Sequence, residues 1–110
     1  MKIALLGYGK MGKTIEKLAI EKGHTIVSKI SRNSSKEEIL LADVAIEFST
    51  PEAAVSNIKY CLENSIPVIS GTTGWLEHYD EMVKLCQNRN GSFIYASNFS
   101  VGVNLFFSIN

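Results

Sequence analysis

The chain has 110 residues, 45% of them hydrophobic and 20% charged, and its formal net charge is zero. That size leaves room for one folding unit with one core, and nothing in the composition or the balanced charge suggests a nucleic-acid arm. No apolar run approaches the ~20 residues of a bilayer span, and the start lacks the charged-then-apolar order of a secretory signal, so a cytoplasmic protein without membrane contact is expected.

Lys2 to Leu6 is an apolar run closed by a glycine, the pattern of a buried strand. From Met11 the period changes: Ile15, Leu18, Ala19 and Lys22 fall at helical spacing until Gly23 and His24 end the pattern. Thr25 to Ile30 is the second strand and Ser31 to Ser35 a polar turn. Lys36 to Ala42 then holds about two helical turns, with Ile39, Leu40 and Leu41 expected inward. Asp43 to Phe48 is strand-like. Ser49-Thr50-Pro51-Glu52 starts a helix, with a hydroxyl at the cap and proline in the first turn, running to about Asn64. Ile66 to Ser70 is a fourth strand, Gly71-Thr72-Thr73-Gly74 a loop, and Trp75 to Asn88 a helix with Leu76, Tyr79, Met82, Val83 and Cys86 on one face. Asn90-Gly91 turns the chain into a fifth strand, Ser92 to Ala96, after which Ser97 to Gly102 leads to the helix-like VNLFFSIN.

Strand and helix alternate throughout, which predicts a Rossmann-like, doubly wound α/β domain with a parallel sheet, spanning residues 1–110. In such sheets ligands sit beyond the carboxyl ends of the strands, so the loops GYGKMG, SRN, FSTP, GTTG and SNFSVG should converge. In the first, Gly7 permits a sharp exit from the strand, Gly9 lets backbone approach a pyrophosphate, and Gly12 lets helix and strand pack closely; Tyr8, Lys10 and Met11 lie between them. A tight turn between packed elements has the same spacing, but its place between this strand and this helix favours dinucleotide binding.

The acidic residue expected about 20 residues on, for the ribose of NAD, is missing. Ser31 and Arg32 stand there instead, and a hydroxyl beside a guanidinium suits a 2′-phosphate, so NADP(H) is preferred with NAD(H) open. Arg32 as a plain surface arginine is the other reading. Phe48, Ser49 and Thr50 form the third loop. In the fourth, Gly71, Thr72 and Thr73 offer backbone and hydroxyl groups to a ligand, unless Thr73 only caps the following helix. Glu47 lies near the end of the third strand, where the sequence does not fix its face, and no catalytic role is expected of it. Cys61 and Cys86 have no metal spacing, His24 and His78 stand apart, and no metal is expected.

GYGKMG, DVAIEFSTPEAA, PVISGTTGW and YASNFSVGVN, in this order and at these distances, resemble the N-terminal part of the dihydrodipicolinate (4-hydroxy-tetrahydrodipicolinate) reductases of lysine and diaminopimelate synthesis, over essentially the whole chain. The resemblance implies a cofactor-binding domain of an NAD(P)H-dependent reductase. Gly7 to Gly12 would cradle the pyrophosphate and Arg32 would sit at the adenosine 2′ position. Gly71, Thr72 and Thr73 would line the nicotinamide ribose and amide, and Ala96, Ser97, Asn98 and Phe99 would flank the nicotinamide ring. Thr73 would also touch a carboxylate of the cyclic dicarboxylate substrate. Many members have one more residue in the glycine loop and an acidic residue where Ser31 stands. The family's catalytic histidine pair and lysine lie downstream of this sequence, so no catalytic residue is expected in it, and the chain alone would be an inactive fragment lacking a C-terminal substrate domain. Homotetramers through that domain are also implied. Competing readings are another NAD(P)-dependent dehydrogenase and a stand-alone nucleotide- or redox-sensing module.

Overall fold

A computed structural model of the chain describes residues 1–30, 36–72, 74–91 and 93–95. The order is β1 (Lys2–Leu6), α1 (Lys10–Glu21), β2 (Thr25–Ile30), a 3-10 helix (Lys36–Leu41), β3 (Val44–Glu47), α2 (Pro51–Glu63), β4 (Val68–Ser70), a 3-10 turn (Leu76–His78), α3 (Tyr79–Asn88) and β5 (Phe93–Tyr95). The five strands form one parallel sheet in the order β2-β1-β3-β4-β5. The direction of winding therefore reverses between β1 and β3, the switch point at which ligands of such sheets bind.

Each face of the sheet has its own apolar layer. Ile3, Leu5, Val44, Ile46 and Ile69 pack with Ile15 and Ala19 of α1. On the other face Ala4, Leu6, Ile30, Ala45 and Val68 meet Ile39 and Ala42, then Ala54, Ile58, Cys61 and Leu62 of α2 and Met82 of α3. Burial on both faces explains why the strands read as continuous apolar runs rather than alternating ones. The register aligns Ile30, Leu6, Glu47, Ser70 and Tyr95 in one row across the carboxyl end of the sheet. Glu47 stands at the centre of that row.

Several expectations are corrected. The segment after β2 is a 3-10 helix, in which residues three apart share a face; Ile39 and Ala42 are therefore buried, while Leu40 and Leu41 are 48% and 63% exposed. The helix expected from Trp75 starts only at Tyr79. Trp75 turns inward, its indole Nε1–H donating to Thr72 O at 2.6 Å and its ring packed against Phe93 and Tyr95, and this anchor breaks the first turn and leaves Leu76 and Tyr79 exposed. Helix α1 begins one residue early, and β3 and β4 are shorter than expected. The Thr50 cap is as expected: its side chain accepts from Ala53 N–H, with Pro51 in the first turn. The VNLFFSIN segment lies outside the described residues. Among the described residues no helix is long and apolar enough to cross a membrane, and no cluster of His, Cys, Asp and Glu is placed to hold a metal.

Candidate functional site

The glycine loop is shaped by its neighbours. Gly7 has φ +101°, and a Cβ there would lie 2.9 Å from the carbonyl oxygen of Phe48, so both the backbone and the space demand glycine. A Cβ on Gly12 would lie 2.9 Å from the Phe48 ring and 3.0 Å from Gly7 O, the close packing its position implies. Gly9 is different. A Cβ there would meet nothing within 4 Å, so no neighbour in the fold explains a glycine at that place. Gly9 is also the residue before α1, whose N-terminus has no side-chain cap and no acidic residue in its first turn. Free amide hydrogens and the helix dipole thus converge beside open space, the arrangement that receives an anion. Tyr8 is steadied on the protein side: its hydroxyl donates to Glu16 at 2.5 Å, Lys29 Nζ lies 2.7 Å from the same carboxylate and 4.8 Å from the Tyr8 ring centre. The hydrogen bond to Glu16 raises the Tyr8 pKa, and the bond from Lys29 lowers that of Glu16.

A cavity of about 590 Å³ opens beside this loop, on the side of β2. Gly7, Tyr8, Gly9, Phe48, Ser49 and Thr50 line it, joining the first and third loops. Five further lining residues escaped sequence reasoning: Ile30 at the end of β2, Lys36, whose Nζ donates to Ser56 Oγ at 2.5 Å, and Ala53, Ser56 and Asn57 of α2. The sequence did carry one signal for them. Asn57 is a polar residue within the apolar stripe of Ala54, Ile58 and Cys61, and it is buried.

The third and fourth loops are joined beneath the surface by Glu47, which is fully buried. Its carboxylate accepts from the backbone N–H and the hydroxyl of Ser49, from Ser70 Oγ at 2.8 Å and from Thr72 Oγ1 at 2.8 Å. Among the described residues no ion pair reaches it. A buried carboxylate loses several kcal/mol of hydration, and charge-assisted hydrogen bonds of this number are what offset the loss. Glu47 is the residue whose side the sequence left open. Thr72 consequently sends its hydroxyl hydrogen inward rather than toward the cavity, and it is 6% exposed. Gly71 follows, its N–H bonded to Glu47 O at 2.8 Å. Met11 is exposed, and Lys10 opens α1. Ser31, Arg32, Thr73, Ala96, Ser97, Asn98 and Phe99 lie outside the described residues.

The family described as dihydrodipicolinate reductase, N-terminus, matches residues 1–99. A curated 4-hydroxy-tetrahydrodipicolinate reductase of Christiangramia forsetii is 49% identical over 112 aligned positions, covering 100% of this chain and 47% of its own. One from Staphylococcus saprophyticus is 37% identical, covering 94% of this chain and 46% of its own. The chain thus spans about half the length of the curated relatives it matches. Among solved structures, a homoserine dehydrogenase from Thiobacillus denitrificans superposes with a TM-score of 0.74 at 14% identity, over 86% of this chain and 29% of its own. A hyperthermophilic archaeal homoserine dehydrogenase in complex with NADPH gives 0.72 at 16% identity, over 87% and 43%. At such identities these two speak to the fold alone, and they are Rossmann-like. With glycine loop, switch-point cavity and motif order agreeing, the chain belongs to the N-terminal domain family of dihydrodipicolinate reductase.

Proposed function

We propose that this chain is the dinucleotide-binding part of a reductase that passes hydride from a reduced nicotinamide cofactor to 4-hydroxy-tetrahydrodipicolinate, giving tetrahydrodipicolinate in lysine and diaminopimelate synthesis. The observation that carries this reading is Gly9: open space where a side chain would stand, at an uncapped helix N-terminus, on the rim of a cavity at the switch point. A dinucleotide fits those residues. Its diphosphate would lie on the amides of Gly9 to Gly12, and its adenosine half would enter the cavity on the β2 side, since the end of β2 is where the adenosine ribose is read in such folds. The bound cofactor supplies the hydride; the residues of this chain bind and orient it.

In this reading NADPH is preferred to NADH, with Arg32 at the 2′-phosphate and Lys36 adding a second cation at the cavity. Gly71, Thr72, Thr73 and Ala96 to Phe99 serve the nicotinamide half, and Thr73 also meets a substrate carboxylate. Residues 1–110 form the cofactor domain; a following substrate domain brings the proton donor and the contacts of a homotetramer, and the enzyme works in the cytoplasm. The test is a titration of NADPH and NADH into the polypeptide as its gene encodes it, with Arg32→Ala alongside. NADPH should bind tighter, and the variant should lose about 10- to 100-fold of that affinity while NADH binding holds, the size of a lost charge-assisted bond. Equal wild-type affinities would overturn the cofactor preference, and binding of neither would overturn the function.

A further inference from the structure

The hydrogen bonds around Glu47 have a direction, and that direction reaches the cavity wall. A carboxylate only accepts. Ser49 has one hydroxyl hydrogen and donates it to Glu47, its 3.5 Å approach to Thr50 O being too long to compete. Toward Asn57, therefore, Ser49 Oγ can only accept. The Asn57 amide must present Nδ2 to it, as it does at 3.3 Å. An amide orientation that is otherwise ambiguous is thereby fixed by chemistry rather than by fit alone.

The opposite atom, Asn57 Oδ1, has no hydrogen-bond partner among the described residues, although Asn57 is only 6% exposed and lines the cavity. With Nδ2 committed to Ser49, Oδ1 is the end of the amide left for a donor from whatever fills the cavity that Asn57 lines. The cavity lies beside Ile30 at the end of β2, the adenosine side of the glycine loop.

We propose that Asn57, turned by Ser49 and Glu47, reads the exocyclic amino group of the cofactor's adenine. Ser49 and Glu47 act here as positioning residues: they decide which end of the Asn57 amide faces the base. This inference rests on the dinucleotide reading above and adds to it the recognition of the base.

The probe is a pair of cofactors, NADPH and its hypoxanthine analogue, in which a carbonyl replaces the adenine amine and so sets an acceptor against Oδ1. Both are titrated into the polypeptide as its gene encodes it, with thermal melts confirming that each variant folds. The wild type should bind the adenine form at least about tenfold tighter. Asn57→Ala should reduce that ratio to within about twofold by weakening the adenine form. Ser49→Ala should reduce it in another way: the freed amide can turn its Nδ2 to the carbonyl, so the hypoxanthine form gains relative to the adenine form. A merely structural loss would weaken both cofactors in proportion. A wild-type ratio within about twofold, or a Ser49→Ala ratio equal to that of wild type, overturns the inference. Should Ser49→Ala fail to fold, the wild-type and Asn57→Ala ratios still decide. Binding of NADPH without discrimination would sink this inference alone, whereas no binding of any dinucleotide would sink the function.

Discussion

Adding one methyl group at Gly7 or at Gly9 should have opposite consequences. At Gly7 the new Cβ would lie 2.9 Å from Phe48 O and 3.3 Å from Ser49 Cα, both backbone, on a residue with φ +101°. The left-handed conformation costs a non-glycine residue about 1–3 kcal/mol and the overpacking a similar amount, so Gly7→Ala should lose roughly 2–6 kcal/mol. For a domain of this size each kcal/mol is worth about 4–8 °C, and a fall of at least about 10 °C is expected. At Gly9 the methyl would meet no protein atom within 4 Å. Alanine is a poorer helix cap than glycine, and a loss within about 1 kcal/mol follows. The same methyl would occupy the space assigned to the diphosphate, so Gly9→Ala should bind NADPH at least about tenfold more weakly. Thermal melts and calorimetric titrations of the two variants give both numbers. A Gly9→Ala protein that binds like wild type, or that melts as early as Gly7→Ala, would refute the reasoning.

Trp75 is fully buried and its ring anchors the connection from β4 to α3, so Trp75→Ala should cost about 3–5 kcal/mol, read as a lower urea midpoint. Burial, with Glu47 nearby, pushes the Cys61 thiol up to about 12; at about pH 8 a maleimide should label half-buried Cys86 first and reach Cys61 only when the protein unfolds, and equal native rates would contradict this. Tyr8 should ionise above the ordinary tyrosine range because it donates to Glu16, and Glu16→Gln should bring it down; the difference between wild-type and Tyr8→Phe absorbance titrations isolates it. The sign follows from the shift: with the folded pKa raised, the tyrosine's contribution to stability is present at neutral pH and is lost only as pH rises through the folded value.

The order of elements was legible because both periods are strong here: apolar runs for strands buried on two faces, and helical spacing at Ile15 and Ala19 or at Ala54, Ile58 and Cys61. The Thr50-Pro51 cap announced α2 through local chemistry alone. Leu40, Leu41 and Leu76 misled because apolar character does not say which face a short segment presents. A 3-10 turn after β2 and the inward anchor of Trp75 settled that through tertiary contacts. The glycine loop and FST loop could be named as cavity walls, since backbone shape is written in glycine spacing. Lys36 and Asn57 could not, because they reach the cavity only through the packing of the 3-10 helix and of α2 against the sheet. Glu47 was visible as an acid in an apolar strand, yet its role depends on three hydroxyls, from the third loop, the end of β4 and the fourth loop, meeting at one point.

The central claim is that a dinucleotide binds at the carboxyl ends of these strands, over Gly9. Following backbone amide chemical shifts during titration with NADPH tests it most directly. The largest changes should fall on Gly7 to Gly12 and on Phe48 to Thr50, with smaller ones at Gly71 and Thr72. Shifts confined to the opposite end of the sheet, at Gly23, His24, Asn64, Ser65 and Asn90, or no shifts at saturating cofactor, would contradict it.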